Sequence, residues 1–256
     1  MRDTFFEVPR TVHRTSAGLV DLPILYYDAS NLIALFDADR GGAEALLAGT
    51  GLVPAMVHGN HAVVGLSFYE YRKTTVGVYN EVGTAIFAVK RGEPVRLGGL
   101  PDLLQEPRKR NVGAWVVDLP VTTEAANAAG RDLWGYPKFV TRIDFSLGKR
   151  GFDSTVYDPS DTPICALSGS LGLGLPVPAL SLVTFTQMSG ELVRTHVDVR
   201  APTRLHVRSD LTLRLGNSEH PMAEHLRTLG LDGARPRAVV STEHFQSILW
   251  GGSRAR

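Results

Sequence analysis

The chain of 256 residues is poor in most of the signals that announce a function. It has one cysteine, Cys165, so no intramolecular disulfide can form. The alternating apolar neighbours in DTPICALSG predict a buried strand thiol, not a nucleophile. Charged residues make up 21% and the formal net charge is +1, so no global field favours nucleic acid or an anionic membrane. Aromatic and basic residues are not interleaved as on a nucleic-acid platform. The basic trio Arg108-Lys109-Arg110 reads as a solvated loop. No apolar run approaches the roughly 20 residues a membrane helix needs, and MRDTFFEVPR reads as neither signal peptide nor anchor. A cytoplasmic protein without nucleic-acid or membrane partners is expected.

Cofactor motifs are missing too. GSLGLGLP lacks dinucleotide spacing, and its glycines predict turns and bulges. His58 and His61, and likewise His220 and His225, come without a third ligand at a zinc-site spacing. They read as surface or turn histidines, so neither a metal nor another cofactor is expected. Ser168 and Ser170 do not sit in a nucleophile elbow.

What the chain does have is strand-forming sequence. Hydrophobic residues reach 43%, enough for a substantial core, while 26 Gly and 15 Pro punctuate short apolar runs. LVDLPILYYDAS, HAVVGLSFYEYR, TTVGVYNEVGTAIFAVK and NVGAWVVDLPV predict strands, rich in Val, Ile, Thr and aromatics. So do KFVTRIDFSL, DSTVYDP, TPICALSGSL, LVRTHVDVRAPTRLHVRS and RAVVSTEHFQSILW. Three helices are predicted: Asp39 to Leu47, Thr122 to Arg131, and Pro221 to Leu229. With no repeat or long linker, residues 1–256 read as a single domain.

One stretch carries chemistry. In GRDLWGYPKF, Lys138 follows a proline and stands among aromatics, where an ammonium is poorly hydrated. An ordinary lysine, with a pKa near 10.4, offers its free amine in only about one molecule in 2,500 at pH 7. Burial penalises the ammonium and not the amine. Leu133, Trp134, Tyr136, Phe139 and Val140 could supply apolar surroundings. Pro137 would hold the lysine on a stiff strand entry. A strand-edge lysine snorkelling past aromatics is the plainer alternative.

The segment PVTTEAANAAGRDLWGYPKFV resembles the acetoacetate decarboxylase superfamily, whose Gly-Arg-Glu-Leu-x-x-Tyr-Pro-Lys segment carries a Schiff-base lysine. Gly130, Arg131, Asp132, Leu133, Tyr136, Pro137 and Lys138 match in order, with Asp for Glu. Upstream, GVYNEVGTAI is similar to the family's Gly-x-Tyr-x-Glu block and puts the matching glutamate at Glu81. RAPTRLHV and the closing helix and strand also look familial, and the likeness runs from about Leu22 to Trp250.

The resemblance implies an α+β fold of mainly antiparallel strands curled into a barrel or cone with a few peripheral helices. It also implies a homo-oligomer and a Schiff-base lyase acting on a small keto acid, with Lys138 and Glu81 catalytic. Trp134, Tyr136 and Tyr79 are candidate pocket walls. The departures are specific. The second lysine of the decarboxylase pair is Phe139 here. The earlier family glutamate falls at Leu66, with Glu70 the nearest acid, and Asp28 and Ala29 stand where the substrate-binding arginine is expected. Aldolase or dehydratase chemistry on a pyruvate-like substrate is therefore expected over acetoacetate decarboxylation. A β-keto acid decarboxylase and a non-catalytic keto-acid-binding domain are the alternatives.

Overall fold

The computed structural model describes residues 4–95 and 100–254. Its centre is the 16-residue strand Ile24–Asp39, which pairs antiparallel with His61–Thr74 on one side and with Ala238–Leu249 on the other. His61–Thr74 pairs with Tyr79–Lys90, and that strand pairs with Gly113–Asp118. A short parallel contact joins Gly113–Asp118 to Leu182–Met188, which forms a hairpin with Glu191–Arg200. The end of that hairpin, Val197 to Arg200, pairs with Gln246 to Leu249. The path thus returns to the strand Ala238–Leu249, and seven strands form a closed circuit of hydrogen-bonded neighbours.

A separate four-stranded antiparallel sheet runs in the order Asp210–Leu215, Pro163–Ser170, Gly151–Tyr157, Ile143–Leu147. The side chains between the two sheets, among them Phe68, Phe152, Ile164 and Leu213, make one apolar cluster. A second cluster is built largely of tyrosines, and it lies where the site is found. The mainly antiparallel α+β fold is as expected.

Three helices lie close to their predicted positions: Arg40–Leu46, Glu124–Trp134 and Pro221–Thr228. The first starts at Asp39, whose side chain accepts from the Gly42 amide at 2.7 Å. A one-turn helix, Leu100–Leu103, is additional. Among the described residues no helix is long and apolar enough to cross a membrane. Cys165 is buried as expected, and burial pushes its thiol up to about 12.

Several expectations need correction. LGLPV in the glycine-rich stretch is a strand, Leu173–Val177, pairing on one side only, with Thr203–Val207. Pro176 is tolerated there because an edge strand leaves one side of its backbone unpaired. Leu182–Met188 and Asp210–Leu215 are strands that the pattern reading passed over. Arg110 is not solvated: it is buried, and its guanidinium donates to the carbonyls of Gln105 and Ser181. Lys138 lies on an extended connection between helix and strand, two residues before an isolated bridge at Val140, and not within a strand.

The helix Glu124–Trp134 decides where that connection goes. Thr123 caps its start and Gly135, with φ of 67°, closes its end in the left-handed region. A Cβ at Gly135 would lie 2.4 Å from the Gln187 carbonyl oxygen. Gly135→Ala should therefore lose about 2 to 3 kcal/mol, combining left-handed strain with that contact. Urea unfolding checks this, and an unchanged midpoint would show that the turn adapts freely.

Candidate active site

Glu81 and Lys138 are separated by 57 positions, and an intervening segment brings them together. Val82 donates its amide to the Pro120 carbonyl at 3.1 Å, and Thr122 donates to Asn80 at 3.1 Å. The same segment continues outward: Leu119 N–H reaches the Pro137 carbonyl at 3.2 Å and Val121 N–H reaches Phe139 at 3.0 Å. Isolated bridges link Glu81 to Val121 and Val121 to Val140. The glutamate strand and the lysine connection are therefore clamped to the two edges of one short extended piece.

The side chains meet within that frame. Lys138 Nζ is 2.5 Å from Glu81 Oε2, and the two residues are each 6% exposed. Such a contact is a charge-assisted hydrogen bond in a dry setting. The proton can sit on nitrogen, as ammonium and carboxylate, or on oxygen, as amine and acid, with the hydrogen bond kept in either form. Tyr71 donates its hydroxyl to the other carboxylate oxygen, Glu81 Oε1, at 3.3 Å. The Tyr79 ring lies 5.8 Å from Lys138 Nζ.

Five of the seven tyrosines gather here: Tyr26, Tyr69, Tyr71, Tyr79 and Tyr136. Burial first, and for most of them the Glu81 carboxylate next, raises their hydroxyls above the ordinary range. They remain neutral phenols that donate hydrogen bonds. Tyr26 and Tyr79 hydroxyls are 3.2 Å apart, and Tyr136 is 2.8 Å from Thr184 Oγ1. Tyr79 and Tyr136 were read from sequence; Tyr26, Tyr69 and Tyr71 were not. For Tyr69 and Tyr71 the signal was strand alternation, and the register sets them opposite Glu81 and Tyr79.

Every neighbour of Lys138 in its motif has a mechanical task. Arg131 donates to the Lys138 carbonyl at 3.0 Å, and Asp132 accepts from the Ser16 amide at 2.7 Å. Trp134 is fully buried, with its indole N–H on the Trp250 carbonyl at 2.9 Å. Gly130 lies under the lysine stem, where a Cβ would come within 2.4 Å of Lys138 Cε and 2.5 Å of Cδ.

Lys138 opens onto a small cavity with Tyr26, Tyr79, Trp134 and Tyr136 in its wall, together with aliphatic groups such as Val76 and Leu249. It has about 10 Å³ of space for water centres, room for one water, so a substrate must push its wall outward. Glu81 sits behind the lysine and not in the wall. Among the described residues no arginine lines the cavity. Arg72 is held by Asp28 at 2.8 and 2.9 Å and by Glu70 at 2.9 Å, Arg40 pairs with Glu44, and Arg131 serves the backbone. Glu70 is thereby occupied as well, and Leu66 is fully buried in the apolar cluster. The histidine pairs lie elsewhere: His58 and His61 are exposed, His220 caps a helix, and His225 bonds Asp118 at 3.0 Å.

A mainly antiparallel α+β fold around a buried lysine–glutamate pair defines the class of protein. The family model for acetoacetate decarboxylase (ADC) matches residues 8–219, and the chain belongs to that family. No curated protein matches it. Among solved structures, the acetoacetate decarboxylase from Legionella pneumophila subsp. pneumophila str. Philadelphia 1 has a TM-score of 0.68 at 16% identity, covering 99% of this chain and 94% of that one. The enduracididine biosynthesis enzyme MppR complexed with pyruvate gives 0.65 at 14% identity, covering 91% and 90%. An acetoacetate decarboxylase-like enzyme from Sphingomonas wittichii RW1 gives 0.65 at 16%, covering 93% and 94%. At such identities these likenesses speak for the fold.

Gly130 gives the arrangement a direct test. Gly130→Ala removes a mid-helix glycine, which favours folding by about 0.5 to 1 kcal/mol, yet drives the lysine stem aside. The variant should unfold at equal or higher urea while losing borohydride-trappable imine at Lys138. Trapping at the parental level would show that the stem is not placed by this glycine.

Proposed function

We propose that the protein is a Schiff-base-forming lyase in which Lys138 condenses with the carbonyl of a small substrate. The observation that carries this reading is the 2.5 Å contact between Lys138 Nζ and Glu81 Oε2 at the floor of a small cavity with three tyrosines in its wall. A proton passed from nitrogen to Glu81 leaves the amine with the lone pair that attacks the carbonyl carbon. The carbinolamine then loses water, taking a proton back onto its departing oxygen, and a protonated imine remains. That imine accepts the electron pair of a bond at the adjacent carbon and becomes an enamine, which is later protonated or adds to an electrophile.

Aldol-type bond making or breaking, and dehydration, fit the site better than decarboxylation of acetoacetate. Phe139 occupies the place of the second lysine, and the described cavity wall offers no cation besides Lys138 to position a carboxylate. Acetoacetate should therefore release CO₂ slowly compared with the rate at which the enzyme exchanges methyl protons of acetone for deuterium. Rapid CO₂ release without exchange would make the protein a decarboxylase.

Two variants separate binding from chemistry. Lys138→Arg should abolish imine trapping, because a guanidinium stays protonated and is no usable nucleophile. Labelling at Lys73, Lys90, Lys109 or Lys149 would show that another amine reacts. Glu81→Gln keeps a polar partner for Nζ but cannot take its proton. It should retain some trapping while deuterium exchange into acetone falls by about 10² to 10⁴. Exchange at the parental rate would make Glu81 structural. Trapping with no exchange in the parent would favour a non-catalytic carbonyl-binding domain.

A further inference from the structure

Resting on the Schiff-base reading, we propose that this cavity selects an uncharged aldehyde or ketone over a carbonyl compound that carries a carboxylate. The argument is a count of charges. Lys138 and Glu81 form a buried pair whose charges cancel. The three tyrosines of the wall, Tyr26, Tyr79 and Tyr136, add none, because burial keeps their hydroxyls protonated. Tyr26 and Tyr79 already bond each other, and Tyr136 bonds Thr184. The rest of the described wall is Ile24, Val76, Ala126, Ala129, Gly130, Trp134 and Leu249. The one polar edge among these, the Trp134 indole N–H, is committed to the Trp250 carbonyl.

A neutral ketone that condenses with Lys138 leaves a protonated imine facing the Glu81 carboxylate, and the site stays neutral. A keto acid adds one negative charge with no cation left to receive it. An unpaired buried carboxylate is strongly disfavoured. The nearby arginines cannot supply the cation cheaply. Arg72 would have to leave Asp28, Glu70 and Ser30, and Arg131 would have to release the carbonyl of Lys138 itself. The start of the helix Glu124–Trp134 is no substitute: Thr123 caps the Ala126 amide, and Glu124 carries a negative charge in the first turn.

The test uses isosteric pairs: pyruvate against pyruvamide, and acetoacetate against acetoacetamide. Each is trapped on the full-length protein with cyanoborohydride and read by intact mass, with Nα-acetyl-lysine as the reference for intrinsic reactivity. Acetone-sized adducts are counted with acetoacetate. The amides should reach half-maximal labelling of Lys138 at concentrations lower by roughly tenfold or more, relative to the reference, as an unpaired carboxylate beside a buried, charge-neutral pair demands. Acids trapped as well as their amides would overturn the selectivity and leave the imine standing. Absence of any adduct at Lys138 would overturn both. Val76→Arg places a guanidinium at the half-buried wall and should narrow the gap between acid and amide. An unchanged gap in that folded variant would overturn the attribution to charge.

Discussion

The buried contact between Lys138 and Glu81 is the constraint around which the rest of the site is arranged. Two ionisable groups taken out of water cost more in lost hydration than they regain unless their geometry is good and their remaining valences are met. Here the second carboxylate oxygen has the Tyr71 hydroxyl, and an aromatic face lies by the ammonium. Such a pair is weak evidence for stability. Its placement at the floor of a cavity, among buried phenols, is what the proposed chemistry draws on. The tyrosines surround the carboxylate with hydroxyl dipoles and add no net charge of their own.

The strands follow from that requirement. Glu81 lies on Tyr79–Lys90, and its cross-strand partner in the antiparallel register is Tyr69. Because side chains alternate between the two faces of a strand, Tyr69, Tyr71, Tyr79 and Glu81 share one face while Glu70 and Arg72 belong to the other. This explains why Arg72, although close in sequence to the tyrosines, is spent on Asp28 and Glu70 outside the cavity. A one-residue slip would exchange the two sets, bringing the arginine inward and sending the tyrosines out. The absence of a second cation in the described wall is thus a property of strand register as much as of composition.

How far the sequence reveals this depends on the range of the interaction. The helix Glu124–Trp134 was legible because its cap and alanine content are local. Lys138 stood out because a lysine after Trp-Gly-Tyr-Pro conflicts with ordinary solvation. Leu182–Met188 and Asp210–Leu215 were missed although both alternate in part. Each is short and gains its place from partners distant in the chain, Leu182–Met188 partly through a parallel contact with Gly113–Asp118. Tyr26 was missed because nothing near it in sequence indicates that its hydroxyl meets Tyr79, 53 positions away. Arg110 was misread because a long basic side chain looks solvated until carbonyls such as those of Gln105 and Ser181 are seen to surround it. Local chemistry was readable, whereas the destination of long side chains was not.

The motif around the lysine shows why both levels are needed. Pro137 is exposed and its fixed φ keeps the connection extended, so that its carbonyl accepts from the Leu119 amide. Gly135 turns the chain out of the helix, Gly130 leaves a gap for the stem, and Arg131 holds the lysine's own carbonyl. The backbone of Lys138 is fixed from several sides, and its freedom is confined to rotation about a four-carbon stem lying on the helix. In the proposed reaction the amine would leave Glu81 and reach a carbonyl, which needs only that freedom. Any wider movement would separate the amine from Glu81, so a rigid backbone is what the proposed reaction requires of this flexible side chain.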